Sequence, residues 1–155
     1  ADLFDRALCI VTPGAQTPSA WVRTIRGFWE AIGAMTTTME PRRHDALLAR
    51  VSHLPHAVAT ALVNLSLRDR AIDVAGPGFA DTTRVASGDP DMWADILHTN
   101  RTAMIRSIDK LVAELSRLRD RLDCQDDDAV RQWLATGKRA RDEWIARYRK
   151  KVLPP

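Results

Sequence analysis

The chain has 155 residues and a mass of 17.4 kDa, which allows one ordinary domain and little more. Hydrophobic residues make up 45% of the sequence and charged residues 28%, which excludes a disordered or low-complexity chain. The formal net charge of only +3 argues against a protein that is basic over its whole surface.

Three features bear on the expected location of the protein. No uninterrupted apolar run approaches the roughly 18–20 residues of a membrane span, so we expect no membrane partner. No basic-then-apolar leader opens the sequence, and we therefore expect a cytoplasmic protein. Cys9 and Cys124 lie far apart without a CxxC pair, so the sequence predicts neither a zinc site nor a disulfide framework.

The first 39 residues predict a strand, a helix and a second strand. Residues 8–12 are apolar and rich in β-branched side chains, which is typical of a strand. Thr17 and Pro18 then provide a helix N-cap and first position, and Gly33 follows the last apolar residue of the helical pattern. Residues 34–39 predict the second strand. This βαβ unit is too small to be a domain by itself.

A long helix is predicted after the change of composition at Glu40 and Pro41. Apolar residues recur every three or four positions from Leu47 to Leu65, which is the spacing of one helix face. Pro55 lies inside this pattern, and a proline there removes a backbone hydrogen bond and should kink or split the helix. Residues 74–90 contain three glycines and two prolines and predict an irregular segment.

The last part of the chain predicts three helices. Asp89 and Pro90 start the first of them as N-cap and first position. In the next helix, apolar residues at intervals of four and three form a short heptad-like seam that suits an antiparallel bundle or a helix-mediated dimer. The seam comprises Met104, Ile108, Leu111, Leu115, Leu118 and Leu122. An acidic break over 123–128 separates it from a final helix.

The final helix ends in a basic stretch at 138–151, which carries seven basic residues and two acidic ones. Such a stretch could contact nucleic acid or an anionic surface. It is also typical of a solvated helix end, where cations are favoured by the helix dipole. No nucleic-acid-binding motif accompanies the charge, so we expect no nucleic-acid partner.

Two short motifs carry side chains suited to binding or catalysis. Ser52 and His56 share a helix face if the helix continues through Pro55, and they could bind a polar ligand or simply form local hydrogen bonds. Asp81 and Arg84 follow a Gly-Pro-Gly turn. The arginine fork suits a carboxylate or a phosphate, whereas a structural Asp–Arg pair would tie down the loop.

Asp91 and Asp95 lie four residues apart but have no histidine partner in register, so we predict a helix cap rather than a metal site. Trp93, between them, could belong to the core, to a subunit interface or to a pocket wall. His44 is expected in an exposed first turn beside Asp45. Together with the motifs above, Trp93 completes the candidate site.

These segments resemble the prephenate/arogenate dehydrogenase family of tyrosine biosynthesis. The resemblance is carried by HDALLARVSHLPHAVATAL (44–62), GFADTTRVASGDPDMWADIL (78–97), and the Asn100-Arg101 pair that follows. The opening ADLF (1–4) and FWEAIGA (28–34) add to it, and it is weakest beyond Leu122. Gly88 is inserted in the Ser-Asp-Pro motif, and Pro77 stands where the family has a glycine-rich turn.

The resemblance implies a mainly helical fold with two parts. Residues 1–39 would be the end of a dinucleotide-binding Rossmann domain, and 40–155 an all-helical dimerisation and substrate-binding domain. The family oxidises and decarboxylates a cyclohexadienyl substrate with NAD or NADP. Its glycine-rich fingerprint and its general-base histidine lie upstream of the ADLF segment. This chain therefore has no catalytic residue of its own on this interpretation, and alone it would be inactive.

The family pattern assigns substrate contacts to Ser52, His56 and Arg84, with Asp81 supporting the Arg84 segment and Trp93 near the subunit boundary. It implies a homodimer that binds prephenate or arogenate. An alternative hypothesis is a non-catalytic helical homodimerisation module with a vestigial site. The sequence does not decide between prephenate and arogenate or between NAD and NADP. It also leaves open whether tyrosine inhibits the enzyme.

Overall fold

The structure, a computed structural model, describes residues 3–68 and 70–152. It is mainly α-helical and begins with a short β–α–β region, as the sequence predicts. Ala1 and Asp2 of the ADLF segment lie outside the described residues, as do 153–155 and the side chains of Lys150 and Lys151.

The β–α–β region comprises strand β1 (Leu8–Val11), helix α1 (Ser19–Ala31) and strand β2 (Met35–Thr38). The helical region that follows contains α2 (Pro41–Leu48), a π-helical turn (Ala49–His53), α3 (Leu54–Arg68), a first 3₁₀ turn (Ala71–Val74), α4 (Pro77–Thr83), a second 3₁₀ turn (Arg84–Ser87), α5 (Pro90–Thr99), α6 (Arg101–Asp123) and α7 (Asp127–Val152). The chain forms two compact units. The first unit takes in the described parts of Ala1–Pro41 and Ala113–Pro155, and the second unit is Arg42–Val112.

In the first unit, β1 and β2 pair in parallel and α1 packs on both strands. A parallel pair needs a crossover connection, and α1 supplies it. Gly33 ends the α1 turn with φ of 97°, a backbone conformation that favours glycine. Its carbonyl accepts from the Arg6 N–H at 2.8 Å, which ties the turn to the segment before β1.

The first unit also contains α7 and the second half of α6. The Trp133 Nε1–H donates to Glu114 Oε1 at 2.8 Å, so one side-chain bond links the two helices. This bond is the first cause that lowers the pKa of Glu114, and the Arg117 guanidinium is the second. Gly137 lies on α7 with open space where a side chain would project.

In the second unit, the helix predicted around Pro55 changes its winding just before the proline. Over Ala49–His53 the turn widens to a π-helix, and the Leu54 N–H donates to the Ala49 carbonyl five residues back. Pro55 has no N–H, and its ring would clash with the Val51 carbonyl in a regular α-helix. A π-turn gives that carbonyl room, which explains why the helix is interrupted at this place.

The prediction of an irregular segment over 74–90 is wrong. Residues 77–83 form α4, and 3₁₀ turns lie on either side of it. Pro77 occupies the start of α4, where its fixed φ suits a helix and its missing N–H costs nothing. The glycines and prolines therefore mark helix ends. Asp81 and Arg84 consequently lie on short helical turns rather than on a loop.

One helical segment is long enough, and apolar enough on average, to span a membrane, although no uninterrupted apolar run of that length occurs. The helical segment Pro41–Arg68 contains an 18-residue window with a mean hydropathy of 1.3. Counting uninterrupted apolar residues does not reveal it, because polar residues interrupt the run while the leucine, valine and alanine residues between them keep the average high. By length and composition alone this segment could cross a membrane, and the core helix of a soluble protein meets the same criterion.

Candidate functional site

The candidate site lies in the second unit, where α3 packs against α4 and the second 3₁₀ turn. His56 of α3 is buried, with 7% of its surface exposed. Its ring stacks on the indole of Trp93 of α5, with ring centroids 3.6 Å apart and planes 9° apart. Two motifs that are far apart in sequence are thus joined by one aromatic contact.

Gly88 makes this stack possible. A Cβ atom at this position would lie 2.8 Å from Trp93 Cδ1 and 3.1 Å from His56 Cε1, and closer still to Trp93 Nε1. Both rings are held against each other, so neither could move aside easily. The inserted glycine noted in the sequence therefore has a structural reason: any side chain there would collide with the stack.

One atom of the stack has no hydrogen-bond partner. Among the described residues, His56 Nδ1 is the buried side-chain nitrogen or oxygen that lacks one. A buried polar atom without a partner costs roughly 1–3 kcal/mol, and native structures rarely leave one unpaired. The position of His56 Nδ1 therefore calls for a polar group from outside the described residues.

His53 also contacts the tryptophan. Its ring meets the Trp93 ring edge-on, with centroids 6.4 Å apart and planes 81° apart. Asn100, between α5 and α6, donates its side-chain amide to His53 Nδ1 at 3.2 Å and to the Asp45 carbonyl at 2.8 Å. Burial lowers the pKa of His53. The charge of Asp45 raises this pKa and that of His44 lowers it, both more weakly.

The other predicted site residues lie nearer to solvent. Ser52 is exposed although His56 is buried, so the four-residue spacing does not give them the same surroundings across the π-turn. Asp81 and Arg84 are both exposed. Within the described part of the chain no ion pair joins Asp81 to Arg84. The guanidinium of Arg84 is therefore not held by the carboxylate that the sequence offered as its partner.

The remaining candidates act locally. His44 Nδ1 lies 3.0 Å from Asp45 Oδ1 in the first turns of α2, and the side chain of His44 is half-buried. Asp89 caps α5 by accepting from the Met92 N–H at 2.8 Å. Asp91 lies in the first turn of α5. Over residues 3–68 and 70–152, no three histidine, cysteine or acidic side chains are grouped so that they could hold a metal ion.

Sequence reasoning gave no separate role to His53, Gly88 or Asn100. Asn100 contacts a residue 55 positions away, and no local pattern signals such a contact. Gly88 could be noticed as an insertion, but its collision with Trp93 depends on how α5 packs on α3. His53 lies beside the two residues that were singled out, and only its contacts distinguish it from an ordinary helix histidine.

Comparison with known sequences gives a family for most of this chain. The family described as "Prephenate dehydrogenase, dimerization domain" matches residues 40–136. The chain is 33% identical over 147 residues to a cyclohexadienyl dehydrogenase of Zymomonas mobilis, covering 91% of this chain and 50% of that protein. It is 31% identical to a Bacillus subtilis prephenate dehydrogenase, covering 90% of this chain and 39% of the relative. The chain thus spans half or less of these relatives.

Solved structures give the same result. A prephenate dehydrogenase of Aquifex aeolicus, in complex with hydroxyphenyl propionate and NAD+, matches with a TM-score of 0.77 and 32% identity. The match covers 88% of this chain and 49% of that one. An arogenate dehydrogenase of Synechocystis matches with a TM-score of 0.82 and 26% identity, covering 92% of this chain and 54% of the other.

Proposed function

Since the chain belongs to the family of prephenate dehydrogenase dimerization domains, we propose that it is the C-terminal part of a prephenate or arogenate dehydrogenase. The whole enzyme would oxidise and decarboxylate a cyclohexadienyl substrate with NAD or NADP in tyrosine biosynthesis. Residues 1–39 would complete its nucleotide-binding domain, and 40–155 would bind substrate and form the dimer. The observation that carries the proposal is the buried His56 Nδ1, which lacks a partner within the family's motif.

In this proposal the chain supplies substrate contacts and no general base. Arg84 offers an exposed fork of donors that suits a substrate carboxylate. Ser52 offers an exposed hydroxyl. His56 Nδ1 is buried in this structure and would take a polar group of the substrate once the His56–Trp93 stack opens. Asp81 would support the Arg84 segment from the same helical turns. The histidine that removes the proton from the ring hydroxyl would lie in the other half of the enzyme, so this chain alone would be inactive.

This chain does not contain the turn that binds the cofactor's pyrophosphate. Such a turn has the sequence G-x-G-x-x-G and lies between a strand and a helix. Residues 12–18, which link β1 to α1, contain the single glycine Gly14. A nicotinamide cofactor, when bound, accepts the hydride, but most of its contacts would come from the other half. The role of this chain is therefore to hold and orient the substrate.

We propose a homodimer formed through α5, α6 and α7. The family is defined as a dimerization domain, which supports the proposal. Further support comes from the exposed apolar side chains on α6 and α7, which include Ile105, Ile108, Val112, Leu115, Leu122, Leu134, Trp144 and Tyr148. Trp93 would then lie near the subunit boundary, beside the substrate.

We further propose a cytoplasmic enzyme with no membrane or nucleic-acid partner. The thiols of Cys9 and Cys124 are free, which suits a reducing compartment. The apolar segment Pro41–Arg68 would be covered by protein rather than by lipid. In the basic stretch of α7, Lys138 pairs with Asp142 at 2.5 Å and Arg141 lies over Trp144, so part of that charge is engaged within the helix.

The test is an assay of the intact enzyme that carries this chain, with prephenate and arogenate each offered with NAD and with NADP. We expect turnover with at least one of the four combinations. In parallel, hydroxyphenyl propionate is titrated into the 155-residue chain and binding is followed by calorimetry. Dimerisation of the chain together with an inactive intact protein would favour the alternative, a homodimerisation module without catalysis.

A further inference from the structure

The side-chain amide of Asn100 joins three elements of the second unit. Asn100 follows α5 directly and precedes α6. Its Nδ2 atom lies 2.8 Å from the Asp45 carbonyl of α2 and 3.2 Å from His53 Nδ1 on the π-turn. An amide nitrogen carries two hydrogens, so Nδ2 can donate one to each of these atoms.

The Asp45 carbonyl fixes which way the amide faces. A carbonyl oxygen only accepts hydrogen bonds, so the atom of Asn100 that faces it must be the NH₂ group and not the oxygen. The reversed amide would bring two oxygens within 2.8 Å of each other without a proton between them. The assignment of nitrogen and oxygen in this amide therefore follows from chemistry.

The orientation of the amide in turn fixes the proton of His53. The NH₂ group donates to His53 Nδ1, so Nδ1 must present a lone pair. A neutral imidazole with a bare Nδ1 carries its proton on Nε2. His53 is thereby left with a hydrogen-bond donor at Nε2, on a ring that meets Trp93 edge-on and follows Ser52 directly.

We propose that Asn100 is a positioning residue that ties the junction of α5 and α6 to α2 and the π-turn, and that holds His53 in the tautomer with its proton on Nε2. An effect of Asn100 on substrate binding rests on the proposed function, because it would act through Ser52 and Trp93, the neighbours of His53. The tautomer itself rests only on the geometry of the two Asn100 hydrogen bonds.

The electrostatic surroundings agree with a neutral ring. Burial lowers the pKa of His53, and the charge of His44 on α2 lowers it further, against the opposing effect of Asp45. On the α6 side, Arg101 and Arg106 line a cavity of about 700 Å³ together with Asp45 and Asn100.

The tautomer can be read directly by NMR. The chain has four histidines, so labelling them with ¹⁵N gives a simple long-range ¹H–¹⁵N spectrum, and His53→Gln identifies the signals of His53. We expect the full chain to show an unprotonated Nδ1 at neutral pH. A protonated Nδ1 in the unaltered chain would overturn the proposal without any variant being needed.

Asn100→Asp gives the sharper test because a carboxylate only accepts. We expect the proton of His53 to move to Nδ1 and the titration midpoint of His53 to rise above its value in the unaltered chain. Asn64 is exposed on α3. Asn64→Asp makes the same chemical change away from Asn100 and should leave the His53 signals unchanged. Unchanged His53 signals in Asn100→Asp would overturn the proposal.

Asn100→Ala covers the case in which the acidic variant does not fold. It removes both hydrogen bonds without adding charge, and we expect a measurable fraction of the Nδ1-protonated form to appear. A pure Nε2-protonated ring in this variant would show that Asn100 does not hold the tautomer. None of these readouts needs enzymatic activity, so an inactive enzyme with the two Asn100 hydrogen bonds intact would count against the proposed function alone.

Discussion

The two compact units differ in how much they bury. In Arg42–Val112 the buried side chains include His56, Thr83, Met104 and Ser107, and His56 stacks on Trp93. In the described part of the first unit only Ala34 is buried. Large apolar side chains are exposed in both units, for example Trp21 at 65% and Leu134 at 58% in the first and Val51 at 70% in the second. The second unit has a small buried centre at the candidate site, whereas the described part of the first unit buries one side chain.

The largest effect expected from this difference is on dimer formation. Leu115, which is 51% exposed, lies on the seam of α6. Burial of a leucine contributes about 1.5–3 kcal/mol, and a symmetric dimer loses it twice. Leu115→Ala should therefore weaken dimerisation roughly a hundredfold or more, as measured by sedimentation. Val74→Ala, at an 88% exposed position outside the seam, is the control. Equal dissociation constants for both variants would remove Leu115 from the interface.

The next largest effect concerns Arg84 in the intact enzyme. Removing one partner of a buried charged pair costs about 2–5 kcal/mol, so Arg84→Ala should weaken substrate binding roughly 30-fold to several-thousand-fold. Arg84→Lys should recover only part of this, because an ammonium keeps the charge but loses the fork. Steady-state kinetics with varied substrate and varied cofactor measure both affinities. If KM and kcat for the substrate did not change, the contact proposed for Arg84 would be wrong.

Gly88 tests how closely the site is packed. Gly88→Ala would place a methyl group 2.8 Å from Trp93 Cδ1, and overpacking of this kind costs about 1–3 kcal/mol. Thermal unfolding should show the loss. Gly27→Ala is the matched control, because nothing lies within 4 Å of its added Cβ and alanine favours the interior of α1. We expect the control to be neutral or stabilising. An equally stable Gly88→Ala would mean that the stack can yield.

The smallest expected effect is on the pH dependence of stability, which Glu114 in the first unit and His53 in the second affect in different pH ranges. The Trp133 bond lowers the pKa of Glu114, so its stabilising contribution is present above the unfolded carboxyl pKa of about 4.3 and is lost as pH falls through the lower folded value. Trp133→Phe should bring the Glu114 pKa back toward its ordinary value. A titration of the carboxyl by NMR measures this. A Glu114 pKa unaffected by the substitution would assign the shift to Arg117 instead.

His53, in the second unit, affects the unfolding free energy at a higher pH than Glu114 does. Its folded pKa is also lowered, so the unfolded chain binds more protons below about pH 6.5 and stability falls with pH from there down to the folded pKa. The profile of unfolding free energy against pH should therefore show a His53 step above the Glu114 step. His53→Gln should remove only the upper step, and its persistence in that variant would assign it to another group.

The sequence predicts the elements with strong local signals. The apolar, β-branched run of β1, the N-cap at Asp89 and the periodicity of α6 each depend on neighbouring residues, and the structure contains all three features. The segment 74–90 was mispredicted because glycine and proline also occur at helix ends, and only the packing of α4 against α3 decides between the two.

The candidate site is less accessible from sequence, because its contacts join distant segments. His56 and Trp93 are 37 positions apart, and periodicity indicates only that each can face a core. The resemblance to a family identified both residues, but it gave no sign that they stack. The partner of Asn100 could not be foreseen, since a side-chain bond to the Asp45 carbonyl depends on how α2 and α5 pack.

The π-turn at Ala49–His53 has a geometric consequence for everything that follows it. A π-turn holds about one residue more than an α-turn, and each residue of an α-helix corresponds to roughly 100° of rotation about the axis. The winding of α3 is therefore out of phase with that of α2 by about this angle. Winding the same residues as a continuous α-helix, without the wider turn, would rotate His56 by about 100° away from the indole. The one additional residue thus sets the angular position of the histidine, and Pro55 keeps the turn from relaxing into a uniform helix.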